Sequence, residues 1–129
     1  MISLERFRVE FDKPVAHELY WCKKNGECQA TDFLMEELAG SSDQTKTIQR
    51  LAWYETNGRP RNPEQYRQLK RYENLHELKC DHVRLFFFVL GNAFVFTVGF
   101  RKDQQETPEA WCKRHDRLRL EYLGQLKRS

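Results

Sequence analysis

The stretch Asn74–Pro108, NLHELKCDHVRLFFFVLGNAFVFTVGFRKDQQETP, decides the fold. Three runs rich in β-branched and aromatic residues follow one another here, separated by short breaks that suit tight turns. The runs are Leu75–Cys80, Val83–Leu90 and Phe94–Phe100. Strands joined by such short loops are antiparallel, because parallel neighbours need a long crossover. The second and third runs are apolar on both faces, which predicts the buried centre of the sheet of an α+β domain.

The segments around this stretch predict further strands and helices. Residues 6–11 and 16–22 alternate as half-buried strands do. Two helices with a short link are expected to pack on the sheet as an antiparallel pair, the first capped by Thr31 or Asp32. A final helix starts after Thr107, because Pro and Glu follow it. The predicted helices span residues 33–39, 44–56, 63–71 and 108–126.

Length and composition predict a single folded domain. The chain has 129 residues, of which 40% are hydrophobic and 32% charged, and a chain of this length can bury one core. It has no apolar run near the roughly 20 residues that span a bilayer. Glu5, Arg6 and Arg8 interrupt the region where a signal peptide would begin. We therefore predict one domain over residues 1–129, located in the cytoplasm.

Cofactor and metal chemistry have no support in the sequence. The four cysteines show no paired C-x-x-C spacing. Cys80 in a strand and Cys112 in a helix are therefore predicted to be small buried apolar residues. Motifs for P-loop nucleotide binding, dinucleotide binding and triad hydrolysis are absent from the sequence. We predict no cofactor and no metal.

The positive charge is concentrated in the second part of the chain. Residues 1–45 carry five Lys or Arg against nine Asp or Glu, whereas residues 46–129 carry 17 against 10. A basic surface of this kind favours a polyanionic or acidic partner. Ordinary surface salt bridges account for it equally well, for example if Lys79 and Arg84 pair with Glu77 and Asp81.

Charged side chains are predicted to meet on one side of the apolar sheet. Alternation places Glu77 and Lys79 on the same face of the first core strand. Arg84 of the second strand and Arg101 or Lys102 at the end of the third can join them. Such a cationic concavity holds a phosphodiester backbone and stabilises the extra negative charge of a pentacovalent transition state. The preceding segment adds a basic rim, namely Arg59, Arg61, Arg67, Lys70 and Arg71.

The histidines offer one further candidate. His82 lies in a predicted turn, where an exposed imidazole suits proton transfer. His76 and His115 fall on apolar faces and are predicted to be packed in the core.

Three motifs within Asn74–Pro108 resemble the phage-derived, HigB-like branch of the RelE/ParE toxin superfamily. They are LHELK at 75–79, RLFFF at 84–88 and FRKDQQETP at 100–108. The corresponding family patterns are L-x-E-L-R, R-h-h-h-F and F-x-K-x-x-Q-x-T-P, where h is hydrophobic. The family arginine of the first motif is Lys79 here, which loses a bidentate phosphate contact. The resemblance implies the RelE-like fold, a twisted antiparallel sheet with an N-terminal helical pair packed on it and a C-terminal helix.

The same resemblance implies the toxin half of a type II toxin–antitoxin system. Such a toxin is a ribosome-associated mRNA endoribonuclease that blocks translation, and a cognate antitoxin, typically a small helix-turn-helix protein, neutralises it. Lys79, Arg84 and Lys102 match basic positions of the family and would stabilise charge. Glu77 is either a general base or a structural partner of Arg84. Two alternatives stay open, a ParE-like gyrase inhibitor and a non-toxic module that binds nucleic acid or protein.

Overall fold

The structure, a computed structural model, describes residues 1–7, 15–103 and 108–128. Within these ranges six strands form one sheet, and helices lie on both of its faces. The strands are β1 (Ile2–Arg6), β2 (Glu18–Lys24), β3 (Tyr66–Gln68), β4 (His76–Cys80), β5 (Val83–Leu90) and β6 (Ala93–Arg101). The helices are α1 (Gln29–Asp32), which continues as a π-helical turn over Phe33–Glu37, α2 (Ser42–Asn57) and α3 (Pro108–Arg128).

The strands lie side by side in the order β1-β2-β6-β5-β4-β3. The antiparallel meander predicted for the central stretch is confirmed, because β5 pairs antiparallel with both β4 and β6. Two-residue turns at 81–82 and 91–92 join these strands, also as predicted. β2, however, runs parallel to β6, with Glu18 opposite Ala93 and Trp21 opposite Phe96. The sheet is therefore mixed.

The predicted RelE-like architecture is wrong. The chain opens with the antiparallel β1–β2 pair rather than with helices, and the parallel β2–β6 pairing excludes a purely antiparallel sheet. The connection from β2 to β6 contains α1, α2 and the strands β3 to β5, so it has the length that parallel neighbours need. The α+β class itself is confirmed, and α3 follows the sheet as predicted.

Several helix and strand boundaries differ from the sequence prediction. The first helix begins at Gln29, with Cys28 as its N-cap rather than Thr31 or Asp32. The predicted strand at 16–22 is β2, shifted by two residues, whereas most of the predicted strand at 6–11 lies outside the described residues. α2 agrees with its prediction, because the Ser41 hydroxyl caps it by accepting from the Gln44 amide at 3.1 Å.

The helix predicted at 63–71 is wrong. Residues 63–65 form a turn, and the segment then pairs along the edge of β4 as β3. A nine-residue segment gains little from forming an isolated helix, which is marginal below about 12 residues. An open sheet edge, by contrast, offers hydrogen bonds to the segment, such as the one from the Lys79 amide to the Gln65 carbonyl at 3.0 Å.

Two apolar layers hold the helices against the sheet. We call the side of the sheet that carries α1 and α2 the α2 face, and the opposite side the α3 face. Phe87 and Phe94 pack on the α2 face with Tyr54, whereas Phe86 and Phe100 pack on the α3 face against the start of α3. The four cysteines are all buried and free. The burial predicted for Cys80 and Cys112 is therefore confirmed.

A chain of buried and half-buried polar groups connects the two layers. The Asn74 carbonyl accepts from His115 Nε2 at 3.2 Å, and its side-chain Oδ1 accepts from His76 Nε2 at 3.1 Å. The Nδ1 atom of each ring lies 2.7 Å from a hydroxyl oxygen, that of Tyr66 at His76 and that of Thr97 at His115. Burial lowers the pKa of each ring to about 4, so both are neutral at pH 7, and their burial predicted from the sequence is confirmed.

The far end of α3 contacts the first strand. Gln125 donates to the Ile2 carbonyl at 2.7 Å and accepts from the Ile2 amide at 2.8 Å. Both backbone groups of Ile2 point away from β2. The Gln125 side chain therefore lies along the outer edge of β1, where another strand would otherwise pair.

Candidate nucleic-acid interface

Two adjoining grooves open where β4 turns into β5. The first, about 330 Å³ in volume, is lined by residues of α2, of the loop before β3 and of the β4–β5 turn. The second, about 400 Å³, continues along α2 and shares Arg50, Gln65 and Asp81 with the first. Together we call them the cationic groove, lined by Lys46, Gln49, Arg50, Trp53, Asn62, Glu64, Gln65, Lys79, Cys80, Asp81 and Arg84.

Arg84 is held rigidly in this groove. Its Nη1 donates to the carbonyl of Asp81 at 2.6 Å and to that of Val83 at 2.9 Å, so the side chain fixes the β4–β5 turn. Asp81 has a φ of 54° there, a left-handed conformation that aspartate tolerates. Burial lowers the pKa of Arg84 and the negative charge of Glu77 opposes the shift. An arginine remains charged under such shifts, so the groove contains a fixed positive charge.

Of the two roles that the sequence left open for Glu77, its position favours the structural one. Its side chain is buried, and Oε1 lies 3.4 Å from Arg67 Nη2 and 3.9 Å from Arg84 Nε. The described residues that line the groove do not include it. A general base has to reach the proton that it removes, and Glu77 instead lies behind Arg84 and neutralises part of its charge.

Lys79 is fixed both by its backbone and by its side chain. Its carbonyl accepts from Arg50 Nη1 at 2.5 Å, and its Nζ donates to the Pro63 carbonyl at 2.9 Å. Burial lowers the pKa of Lys79, and the charge of Arg84 adds to the shift while that of Glu77 opposes it. Lys79 therefore releases a proton more readily than an ordinary surface lysine.

Lys102 and His82 lie beside the groove, at the same end of the sheet. The Lys102 amide donates to the His82 carbonyl at 2.9 Å, and both residues are exposed. The positive charge of Lys102 contributes to the lowered pKa of Lys79, which places it in the electrostatic field of the groove. The exposure predicted for His82 is confirmed.

Arg101 does not join this group, contrary to expectation. Phe86 lies opposite Val98 whereas Phe87 lies opposite Phe96, so a bulge inserts one extra residue into β6. A bulge reverses the alternation of side chains beyond it. Arg101 therefore points to the α2 face, where its Nη1 lies 2.7 Å from Asp43 Oδ2 in the first turn of α2.

The predicted basic rim is dispersed. Arg67 contacts Glu77, which also contacts Arg84. Arg61 and Lys70 are exposed in the loops before and after β3. Arg59 lies at the opposite end of β4, with its guanidinium about 6 Å from the Tyr66 and Phe94 rings. Arg71 lies over Tyr72 on the α3 face, 5.6 Å from the ring centroid. Only part of the rim can therefore contact a ligand in the groove.

The sequence reading missed the contribution of α2. Lys46, Arg50 and Trp53 line the groove from this helix, and their spacing of four and then three residues places them on one helical face. That spacing was a usable signal for the groove, and the sequence prediction did not include it. Lys46 Nζ lies 3.4 Å from Asp81 Oδ2 across the groove.

No protein-family model matches this chain, and the comparison with curated proteins gives no match. Function is therefore inferred from the groove and from the motifs that supply its residues. In the described ranges, no three His, Cys, Asp or Glu side chains are grouped in a way that would hold a metal ion. In the same ranges, no helix has the length and apolar character needed to cross a membrane.

Proposed function

We propose that this protein is an endoribonuclease toxin that binds an mRNA strand in the cationic groove. The observation that carries the proposal is the convergence of Arg50, Lys79 and Arg84 around one concavity. Two of these residues belong to the motifs that resemble the toxin family. With Lys46 the groove has four basic residues against two acidic ones, Glu64 and Asp81. Positive charge arranged in a concavity is what phosphodiester binding requires.

The chemistry proposed for the groove is cleavage by the RNA itself. The 2′-hydroxyl oxygen forms a bond to the adjacent phosphorus, and the bond from phosphorus to the 5′-oxygen breaks, which leaves a 2′,3′-cyclic phosphate. The transition state carries extra negative charge on its non-bridging oxygens, and Arg84 is positioned to stabilise it. The leaving 5′-oxygen has to gain a proton, and Lys79 with its lowered pKa is suited to donate one. His82 beside the groove is the candidate acceptor of the 2′-hydroxyl proton.

The biological setting is part of the same proposal. The motif resemblance supports action on ribosome-bound mRNA in the cytoplasm, neutralised by an antitoxin of the helix-turn-helix kind. Lys102 beside the groove also belongs to those motifs. The proposal extends to these partners through the resemblance alone.

A second candidate function is RNA binding without cleavage. It is favoured by the burial of Glu77 between two arginines, which leaves the groove without the carboxylate base expected from the sequence. In that case the same cations bind phosphates, and the bound strand remains intact.

The test combines expression with an assay on the purified protein. Controlled expression in bacteria should arrest growth and fragment mRNA within translated regions. Purified protein should cleave a single-stranded RNA and leave 2′,3′-cyclic phosphate ends, and Lys79→Ala should slow cleavage about 100-fold or more. Lys127→Ala, at an exposed position in the last turn of α3, is the matched control and should behave like the parent.

The other outcomes separate the alternatives. Binding without cleavage would establish the second candidate. Growth arrest with intact mRNA and damaged DNA would point to gyrase inhibition. If the folded protein neither arrests growth nor binds RNA, both candidate functions are wrong.

A further inference from the structure

Trp53 is an unusually exposed tryptophan. It exposes 45% of its surface, whereas the other two tryptophans, Trp21 and Trp111, expose 3% and 6%. Large aromatic side chains are highly buried on average, so an exposed one in the middle of a helix is informative. Trp53 is not needed to anchor α2, since Leu51 and Tyr54 already fill the core beneath that helix.

The surroundings of Trp53 are cationic. It shares the second part of the cationic groove with Lys46 and Arg50, and Arg50 reaches across to the carbonyl of Lys79. The part of the groove that contains the indole therefore adjoins the part that contains Lys79 and Arg84, and Arg50, Gln65 and Asp81 line both parts. An aromatic surface beside a line of positive charges is the arrangement by which proteins bind unpaired nucleic acid. The bases stack on the aromatic ring while the phosphates follow the cations.

We propose that Trp53 is a stacking platform for an unpaired base, so that the groove accepts single-stranded rather than duplex nucleic acid. This inference rests on the proposed function and specifies the class of strand that the groove takes. In a duplex the bases are stacked on one another and cannot reach an indole on the protein surface. A strand seated on Trp53 extends toward Lys79, which places its next phosphates near Arg84. Trp53 is thus a substrate-positioning residue.

Tryptophan fluorescence provides a direct test. Because Trp21 and Trp111 are buried, a base that stacks on Trp53 should quench the exposed component of the emission. The probes are a ten-nucleotide single-stranded RNA, the same sequence as a blunt duplex, and the same sequence as single-stranded DNA. We expect quenching by both single strands and little by the duplex. Only the RNA should be cleaved, since stacking does not need the 2′-hydroxyl and the chemistry does.

Variants separate stacking from charge. Trp53→Ala should weaken single-strand binding about 5- to 150-fold, the range for loss of one base–aromatic stack, and should leave duplex binding unchanged. Trp53→Phe should keep most of the affinity and lose the quenching. Leu120→Ala, at an apolar position on α3 that is 53% exposed, controls for loss of exposed apolar surface and should bind like the parent.

The results distinguish the failure of this inference from that of the proposed function. If Trp53→Ala binds the single strand as tightly as the parent while Lys79→Ala binds it weakly, the strand binds in the cationic groove but does not stack on Trp53. If the parent prefers the duplex, the stated strand class is wrong. If the folded parent binds no RNA, the proposed function and the stacking platform are both wrong.

Discussion

Acidification should destabilise the protein through two buried histidines. His115 and His76 lie in the core, and burial lowers the pKa of each to about 4. The charge of Arg59 adds to the shift at His76, and at His115 the hydrogen bond to the Asn74 carbonyl opposes it. An unfolded histidine has a pKa of about 6.5. The unfolded chain therefore binds protons first as the pH falls, and stability is lost between about pH 6.5 and pH 4.

The size of the loss follows from the two pKa values. With a folded pKa of about 4, each histidine has almost no effect at pH 7.5. At pH 5.5 it lowers the free energy of unfolding by about 1.4 kcal/mol, and at pH 4.5 by about 2.6 kcal/mol. If the two sites act independently, the loss at pH 4.5 is about 5 kcal/mol, which is comparable with the whole stability of many small domains.

The measurement is urea unfolding at pH 7.5, 6.5, 5.5 and 4.5 at constant ionic strength. His76→Gln, His115→Gln and the double variant remove one or both titrations. Whatever each variant costs at neutral pH, it should reduce the loss between pH 7.5 and 4.5 by about 2.6 kcal/mol per histidine. Protonation of carboxylates affects all four proteins alike and cancels in the comparison. The same loss in the parent and in the double variant would refute the reasoning.

Three further predictions concern the backbone, Glu77 and salt. Gly58→Ala should cost about 1–3 kcal/mol or more, because its φ of 82° combined with a ψ of −154° suits only glycine. A Cβ there would also lie 2.7 Å from His17 Nε2. Gly124→Ala within α3 should cost nothing in the same thermal unfolding assay. Glu77→Gln should lower stability by about 1–3 kcal/mol but leave RNA cleavage by the folded protein near the parent rate, and a cleavage defect as large as that of Lys79→Ala would restore Glu77 as the base. If all four groove cations contact phosphates, a plot of the logarithm of the RNA-binding constant against the logarithm of the salt concentration should have a slope of about −3. Replacing one of these cations by alanine should reduce the magnitude of the slope by about 0.7. An unchanged slope in all four variants would exclude these contacts.

Local patterns in the sequence predicted much of the fold. The meander, its two tight turns and the helix predicted at 44–56 depend on neighbouring residues, and all three are confirmed. The parallel pairing of β2 with β6 was missed because it joins residues some 75 positions apart, and no local periodicity encodes a partner. β3 was missed although its partner β4 lies only 8 to 12 residues further along the chain, because the neighbouring edge of β4, rather than the segment's own pattern, makes it a strand.

In the candidate site, too, features set by neighbouring residues were predicted and features set by the rest of the fold were not. Alternation correctly grouped Glu77 and Lys79 with Arg84, because β4 and β5 pair without interruption near the turn. The bulge in β6 then sent Arg101 to Asp43, and nothing in a simple alternating pattern marks where a bulge will fall. The part supplied by α2 depends on how that helix docks on the sheet.

The two edges of the sheet are protected in different ways. A β-sheet with open edges invites strands from other molecules, and natural proteins block such growth with short edge strands or covering groups. β3 is an edge of only three residues. On the other side, the Gln125 amide occupies both outward-facing backbone groups of Ile2. Gln125 thus opposes self-association: without it, a strand of a neighbouring molecule could pair with β1 from Ile2 onward.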